Sequence, residues 1–242
     1  MTTIGILTSL RPLLMSRKVS GQVFPEHAVN TSLYARLRHP WLRTVLERPV
    51  RLLFCSLVVL LVGCSSGHDW NGKDISGLMP ELAFELTDSN GETYKAEDGE
   101  GTVRVMFFGF TNCPDICPTT MARLKGAINQ MPDPLQDDVT MLFVSVDPRR
   151  DTPEKLGEYV GFFGDDIKGL TSDEKTLRKL AKRYRTTFGY NEPDENGDYD
   201  VSHSSAVYVF DEEGRARLLL RSQLSRDEIS EDLTTLAREA AG

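Results

Sequence analysis

The stretch Thr102 to Pro118, TVRVMFFGFTNCPDICP, decides the fold. Its first part is an almost unbroken apolar run, and such runs form strands buried on both faces, as in a parallel sheet covered by helices. Its second part carries two cysteines with three residues between them and ends in Pro118, a residue suited to the first helical position. A buried strand therefore hands over to a helix near Cys117. Val139 to Val146, VTMLFVSV, is a second run of the same kind. Between the two, Met121, Leu124, Ile128 and Met131 recur at helical spacing and stop at Pro132, which completes a βαβ unit.

Outward from this unit the elements keep alternating. Leu82, Phe84 and Leu86 alternate with polar neighbours, Asp88-Ser89-Asn90-Gly91 supplies a turn, and Glu92 to Lys95 returns as the second arm of a hairpin. Thr152-Pro153 opens a helix with Leu156, Val160 and Phe163 inward, and a further helix runs from Ser172 through Leu177, Leu180, Ala181 and Tyr184. Ala206 to Phe210 and Arg215 to Leu220 form a second hairpin around Asp211-Glu212-Glu213-Gly214. The closing helix begins with the capping box Ser225-Arg226-Asp227-Glu228. Gly189 to Val201 is an acidic loop too polar to be buried. An alternating α/β core with an antiparallel finish predicts a thioredoxin-like three-layer sandwich with an added N-terminal β-hairpin, over residues 81–242.

The 242 residues divide unevenly in charge. Residues 1–63 hold eight of the 28 Lys+Arg and two of the 36 Asp+Glu, so a leader of +6 precedes a body of −14, giving −8 in all. An acidic body excludes a nucleic-acid binder, which needs clustered basic residues to displace counterions. The longest apolar run, Leu52 to Val62, follows Arg48 and Arg51 and is too short to span a bilayer of about 30 Å. It has the proportions of a secretory signal. Leu61-Val62-Gly63-Cys64 is similar to a bacterial lipobox, which implies cleavage before Cys64 and lipidation of its sulfur. The expected location is the bacterial cell envelope, with the protein lipid-anchored on the outer face of a membrane. Because the basic residues of a signal belong near its start, translation is expected to begin later than Met1, at a codon such as that of Val45 or Leu46, leaving residues 1–44 untranslated. Residues 64–80 read as a tether.

Of the four cysteines, Cys55 leaves with the signal and Cys64 takes the lipid. Cys113 and Cys117 remain, in a compartment where unpaired thiols do not persist by default. They sit where a strand ends and a helix begins, the end of a parallel sheet at which ligands bind. The backbone N–H groups of the helix start are expected to favour a thiolate there and to depress one thiol pKa. A disulfide closing so short a loop is a poor staple for the unfolded chain. His203, the only histidine beyond position 68, enters the strand at Ala206. In a thioredoxin-like fold that loop faces the cysteines. Two thiolates and one imidazole make a soft donor set suited to Cu(I), Cu(II) or Zn. Met121, Met131 and Met141 lie on apolar faces and read as core. Asp147, Arg150 and Asp151 read as a strand-to-helix loop held by local hydrogen bonds and capping.

Phe108 to Pro118, then Val144-Ser145-Val146-Asp147-Pro148-Arg149-Arg150-Asp151-Thr152-Pro153-Glu154, then His203-Ser204 before a strand, resemble the SCO/SenC family. That resemblance implies a membrane-tethered, thioredoxin-like copper protein that assists assembly of the binuclear copper centre of cytochrome c oxidase subunit II. It implies Cys113, Cys117 and His203 as copper ligands, with oxidase subunit II, a periplasmic copper donor and a thiol reductant as partners. Family members often carry His before the first cysteine and Asp before the distal His, where this chain has Asn112 and Ser202. Asp198 and Asp200 are the nearby carboxylates that could take the second place and orient the imidazole.

Two functions compete. A metallochaperone binds and hands over copper without turnover. A thiol–disulfide oxidoreductase instead keeps the cysteines of a copper-site client reduced, with Cys113 and Cys117 as its redox pair. His203 discriminates, because a reductase needs only the two thiols.

Overall fold

The computed structural model describes residues 68–242. The signal, the lipobox and Cys64 lie outside them. The central parallel strands form as their composition dictates. β4 (Val103–Gly109) is buried at all seven positions and pairs in parallel with β5 (Val139–Ser145), from Val103 opposite Val139 to Gly109 opposite Ser145. α1 (Ile116–Ile128) connects them, followed by a single turn α2 (Asp133–Gln136). The methionines 121, 131 and 141 are buried core residues, as their spacing predicts.

Around this unit lie β1 (Lys73–Asp74), β2 (Glu85–Asp88), β3 (Thr93–Lys95), α3 (Pro153–Gly161), β6 (Ile167–Thr171) and α4 (Glu174–Arg183). After them come β7 (Phe188–Tyr190), β8 (Val201–His203), β9 (Val207–Phe210), β10 (Ala216–Leu220) and α5 (Arg226–Ala241). Eight strands make one sheet in the order β1-β10-β9-β4-β5-β6-β2-β3. The β2–β3 hairpin is the expected N-terminal addition and extends the sheet past β6. Pairing of β9 against β4 and β10 against β9 is antiparallel, the predicted finish. α1 packs on α5 and α3 on β6, so helices cover the sheet in the three layers of a thioredoxin-like fold.

Three local features differ from expectation. β6 carries no apolar run, because Lys168 and Gly169 interrupt it; a Cβ at Gly169 would lie 3.3 Å from Leu156 and Val160, so the glycine lets α3 sit directly on the strand. The ends of the acidic loop are paired, with Phe188 opposite His203 and Tyr190 opposite Val201, in a two-stranded sheet separate from the main one. The stretch 64–80 is docked from Asn71 onward: Asn71 N and Gly72 N donate to the fully buried Asp232 of α5 at 3.1 and 2.7 Å, and Lys73 pairs with Leu219.

Candidate metal centre

α1 begins two residues earlier in the motif than proline placement suggests. Ile116 is its first residue and Asp115 the N-cap, so Cys117 is second and Pro118 third. Pro118 is still tolerated, because the first turn has no intrahelical partner for its N–H groups. This places Cys117 inside the helix, with its side chain packed down against the end of β4 and wholly buried. Cys113 stays in the loop above, half-buried. Both thiols are free, and Cys117 N donates to Cys113 Sγ at 3.3 Å.

Gly109 makes the close approach possible. A Cβ on it would lie 2.6 Å from the Phe143 ring and 3.1 Å from Cys117 Sγ. A side chain there would displace the thiol or the ring.

His203, the last residue of β8, completes the group. Its Nε2 is 3.4 Å from Cys117 Sγ, and the donor atoms of Cys113, Cys117 and His203 all lie within 4.8 Å of one another. The Phe107 and Phe110 rings meet the imidazole edge-on at 5.9 and 5.6 Å between centroids. Nδ1 is 2.9 Å from the Ser204 carbonyl, so Nδ1 carries the proton and Nε2 turns its lone pair toward the thiols. The backbone therefore orients the ring, and no carboxylate is needed at position 202. Ser202 Oγ donates to the Gly189 carbonyl at 3.4 Å, and Ser202, Asn112, Asp198 and Asp200 line a cleft of about 910 Å³ that opens on Cys113 and His203.

Of the two thiols, one of which was expected to be activated by the helix start, Cys117 is not that one. Burial pushes its pKa strongly up, reinforced by the contact with Cys113 and only partly opposed by a backbone hydrogen bond from Phe110. The helix start does not compensate for removal from water. Burial likewise lowers the His203 pKa below its ordinary 6.5, against opposing backbone hydrogen bonds, so the ring is neutral at pH 7. A neutral imidazole and a thiol that yields its proton only to a strong Lewis acid suit a soft metal better than proton-transfer chemistry.

Several residues around the site carry no motif. Tyr159 of α3 tilts over Phe143 at 5.0 Å, and its buried hydroxyl has no hydrogen-bond partner. Its pKa is raised by burial first and then by Cys117 and Cys113. Asp147 and Asp151 make the local hydrogen bonds expected of their loop, with Ser145 and Arg150, and add distant ones. Thr152 caps α3 by accepting from Lys155 N at 3.4 Å, while the two aspartates reach partners 40 and 52 positions away. Tyr199, inside the acidic loop, was the available sequence signal for the Asp147 contact, and the Thr111 contact to Asp151 had none.

Comparison with known proteins agrees with this geometry. The SCO2-like protein of Rickettsia prowazekii is 33% identical over 149 residues, covering 61% of this chain and 72% of that protein. The structure of Bradyrhizobium japonicum ScoI with copper bound superposes with a TM-score of 0.59 at 31% identity, covering 64% of this chain and 98% of that one. A SCO1/SenC family lipoprotein from Bacillus anthracis gives 0.57 at 27% identity, covering 68% and 98%. Residues 78–238 match the SCO1/SenC family model, and the chain that holds Cys113, Cys117 and His203 together at one end of a thioredoxin-like sheet belongs to that family.

Proposed function

We propose that this protein is a copper-binding metallochaperone that assists assembly of the binuclear copper centre of cytochrome c oxidase subunit II. One observation carries the reading: two thiol sulfurs and a neutral imidazole nitrogen converge within 4.8 Å, beside a cleft open to a partner. Two thiolates neutralise Cu(I), and the imidazole supplies a third donor that also accommodates Cu(II). Copper bound to a homologue of the same fold supports the assignment. The ion is cargo, received from a periplasmic donor and passed to oxidase subunit II, after a thiol reductant has kept the cysteines open.

Anchoring follows from the sequence. Among the described residues no helix is long and apolar enough to cross a membrane. We assign attachment to a lipid on Cys64, holding the domain on the outer face of a bacterial membrane. Mass spectrometry of the mature N-terminus checks this: a diacylated Cys64 is expected, and an intact chain through residues 48–64 refutes it.

Copper content of purified 65–242, reduced and anaerobic, tests the function against a His203→Ala variant. One copper per wild-type chain and weakened binding in the variant are expected. In cells, loss of the protein should lower oxidase activity under copper limitation, with partial rescue by added copper. The half-buried Cys113 beside a buried Cys117 is also the arrangement of a thiol–disulfide oxidoreductase. Full copper binding and full oxidase rescue by His203→Ala would favour that reading.

A further inference from the structure

The histidine and the cysteines arrive on separate pieces of structure. His203 belongs to the β7–β8 pair, which shares no ladder with the main sheet. The cysteines sit on the connection between β4 and α1. Main-sheet pairing reaches no closer to the histidine than Val207 opposite Phe107, four residues after His203, and leaves the β7–β8 pair itself to be fixed by other contacts. Both pieces are fastened to the same six residues, Val146 to Asp151.

On the histidine side, Tyr199 Oη donates to Asp147 Oδ1 at 2.6 Å and Tyr190 Oη to the Val146 carbonyl at 2.6 Å. The Arg150 guanidinium, paired with Asp147 at 2.5 Å, lies 3.9 Å over the Tyr199 ring. On the cysteine side, Thr111 N and Oγ1 donate to Asp151 at 2.9 and 2.6 Å, and Ser145 Oγ donates to the same carboxylate at 2.5 Å. The amides of Arg150 and Asp151 both return to the Asp147 carbonyl, which joins the two halves. Asp147 and Asp151 are 0% and 1% exposed. Buried carboxylates are costly unless fully hydrogen-bonded, and capping α3 does not require them, because Thr152 does it.

We propose that Asp147 and Asp151 are positioning residues: together they form a brace that sets His203 at binding distance from Cys113 and Cys117. The brace acts through other side chains and touches no metal. Copper retention then depends on hydroxyls distant from the donor atoms, with Tyr199 governing the nitrogen donor and Thr111 the sulfur donors. The proposal rests on the copper reading for its metal-linked consequences, while its structural content stands in the apo protein.

The test uses Tyr199→Phe and Thr111→Val, each of which removes one hydroxyl without emptying the space, in the whole mature protein. Amide hydrogen exchange of the apo form should quicken about five- to tenfold over 199–204 in Tyr199→Phe and over 111–117 in Thr111→Val, the effect of one lost hydrogen bond. Tyr94→Phe on β3, away from the site, should leave both segments unchanged. Loaded with Cu(II), Tyr199→Phe should lose part of the imidazole nitrogen hyperfine signal, with Cu(I) affinity altered less than about threefold; Thr111→Val should weaken Cu(I) instead. Unchanged exchange in both segments, or a uniform rise along the whole chain, overturns the brace. A wild-type protein that binds no copper overturns the copper reading, and exchange alone then decides the brace.

Discussion

His203 Nε2 lies 3.4 Å from Cys117 Sγ although 86 positions separate the two residues. The contact joins a ring whose proton is held on Nδ1 by a carbonyl to a thiol that burial keeps protonated. Its consequences can be measured one at a time.

Copper binding should divide unequally among the three donors. Cys113→Ser or Cys117→Ser is expected to abolish Cu(I) binding, because one thiolate and one nitrogen leave too few soft donors. His203→Ala should weaken Cu(I) by about 10- to 100-fold, at least the loss seen when only an outer-shell partner is removed, and should impair Cu(II) more. Competition titrations with a chromogenic chelator distinguish the cases.

Affinity should rise with pH across the neutral range. Copper must displace the proton of a Cys117 whose pKa is raised, so each step toward alkaline pH lowers that competition. The lowered His203 pKa removes imidazole competition except in acid. Proton release measured on Cu(I) addition near pH 7 should include the Cys117 proton, and binding independent of pH between 6 and 8 would contradict the assignment.

Stability of the apo domain should fall on both sides of neutrality. The unfolded chain holds the imidazole proton more tightly than the folded one, so stability drains as pH drops below about 6.5 toward the lowered value of His203. Folded Cys117 holds its proton more tightly than the unfolded chain does, so stability drains again as pH rises past about 9. Urea midpoints should lose the alkaline limb in Cys117→Ala.

Thiol chemistry should be asymmetric. Iodoacetamide should modify the half-buried Cys113 of the folded apo protein first and leave the wholly buried Cys117 protected until unfolding. Equal rates under native conditions would show that the loop opens freely.

Two substitutions beside the site separate packing from hydrogen bonding. Gly109→Ala should cost about 1–3 kcal/mol, because its Cβ must displace the Phe143 ring or Cys117 Sγ. Tyr159→Phe should change stability by no more than about 1 kcal/mol, since its hydroxyl has no partner to lose. Chemical denaturation measures both.

Local chemistry in the chain was sufficient to announce the strand at Val103–Gly109, its partner at Val139–Ser145, the β2–β3 turn and the capped α5, because apolar runs, turn residues and capping boxes act over a few neighbours. It also singled out Cys113, Cys117 and His203 as a donor set by type. Tertiary structure decided the rest. β6 was hidden because Gly169 is there for the helix that packs on it, a requirement set by Leu156 and Val160 rather than by the strand itself. A helix start was expected to activate one of the two thiols, yet the protonation of Cys117 follows burial beneath β4, and burial is a property of the assembled core. Asp147 and Asp151 read as local loop residues because hydrogen bonds spanning 40 and 52 positions leave no periodicity in the sequence. Short-range preferences write themselves into neighbouring residues, whereas the distance from His203 to the thiols exists only once separate segments have been brought together.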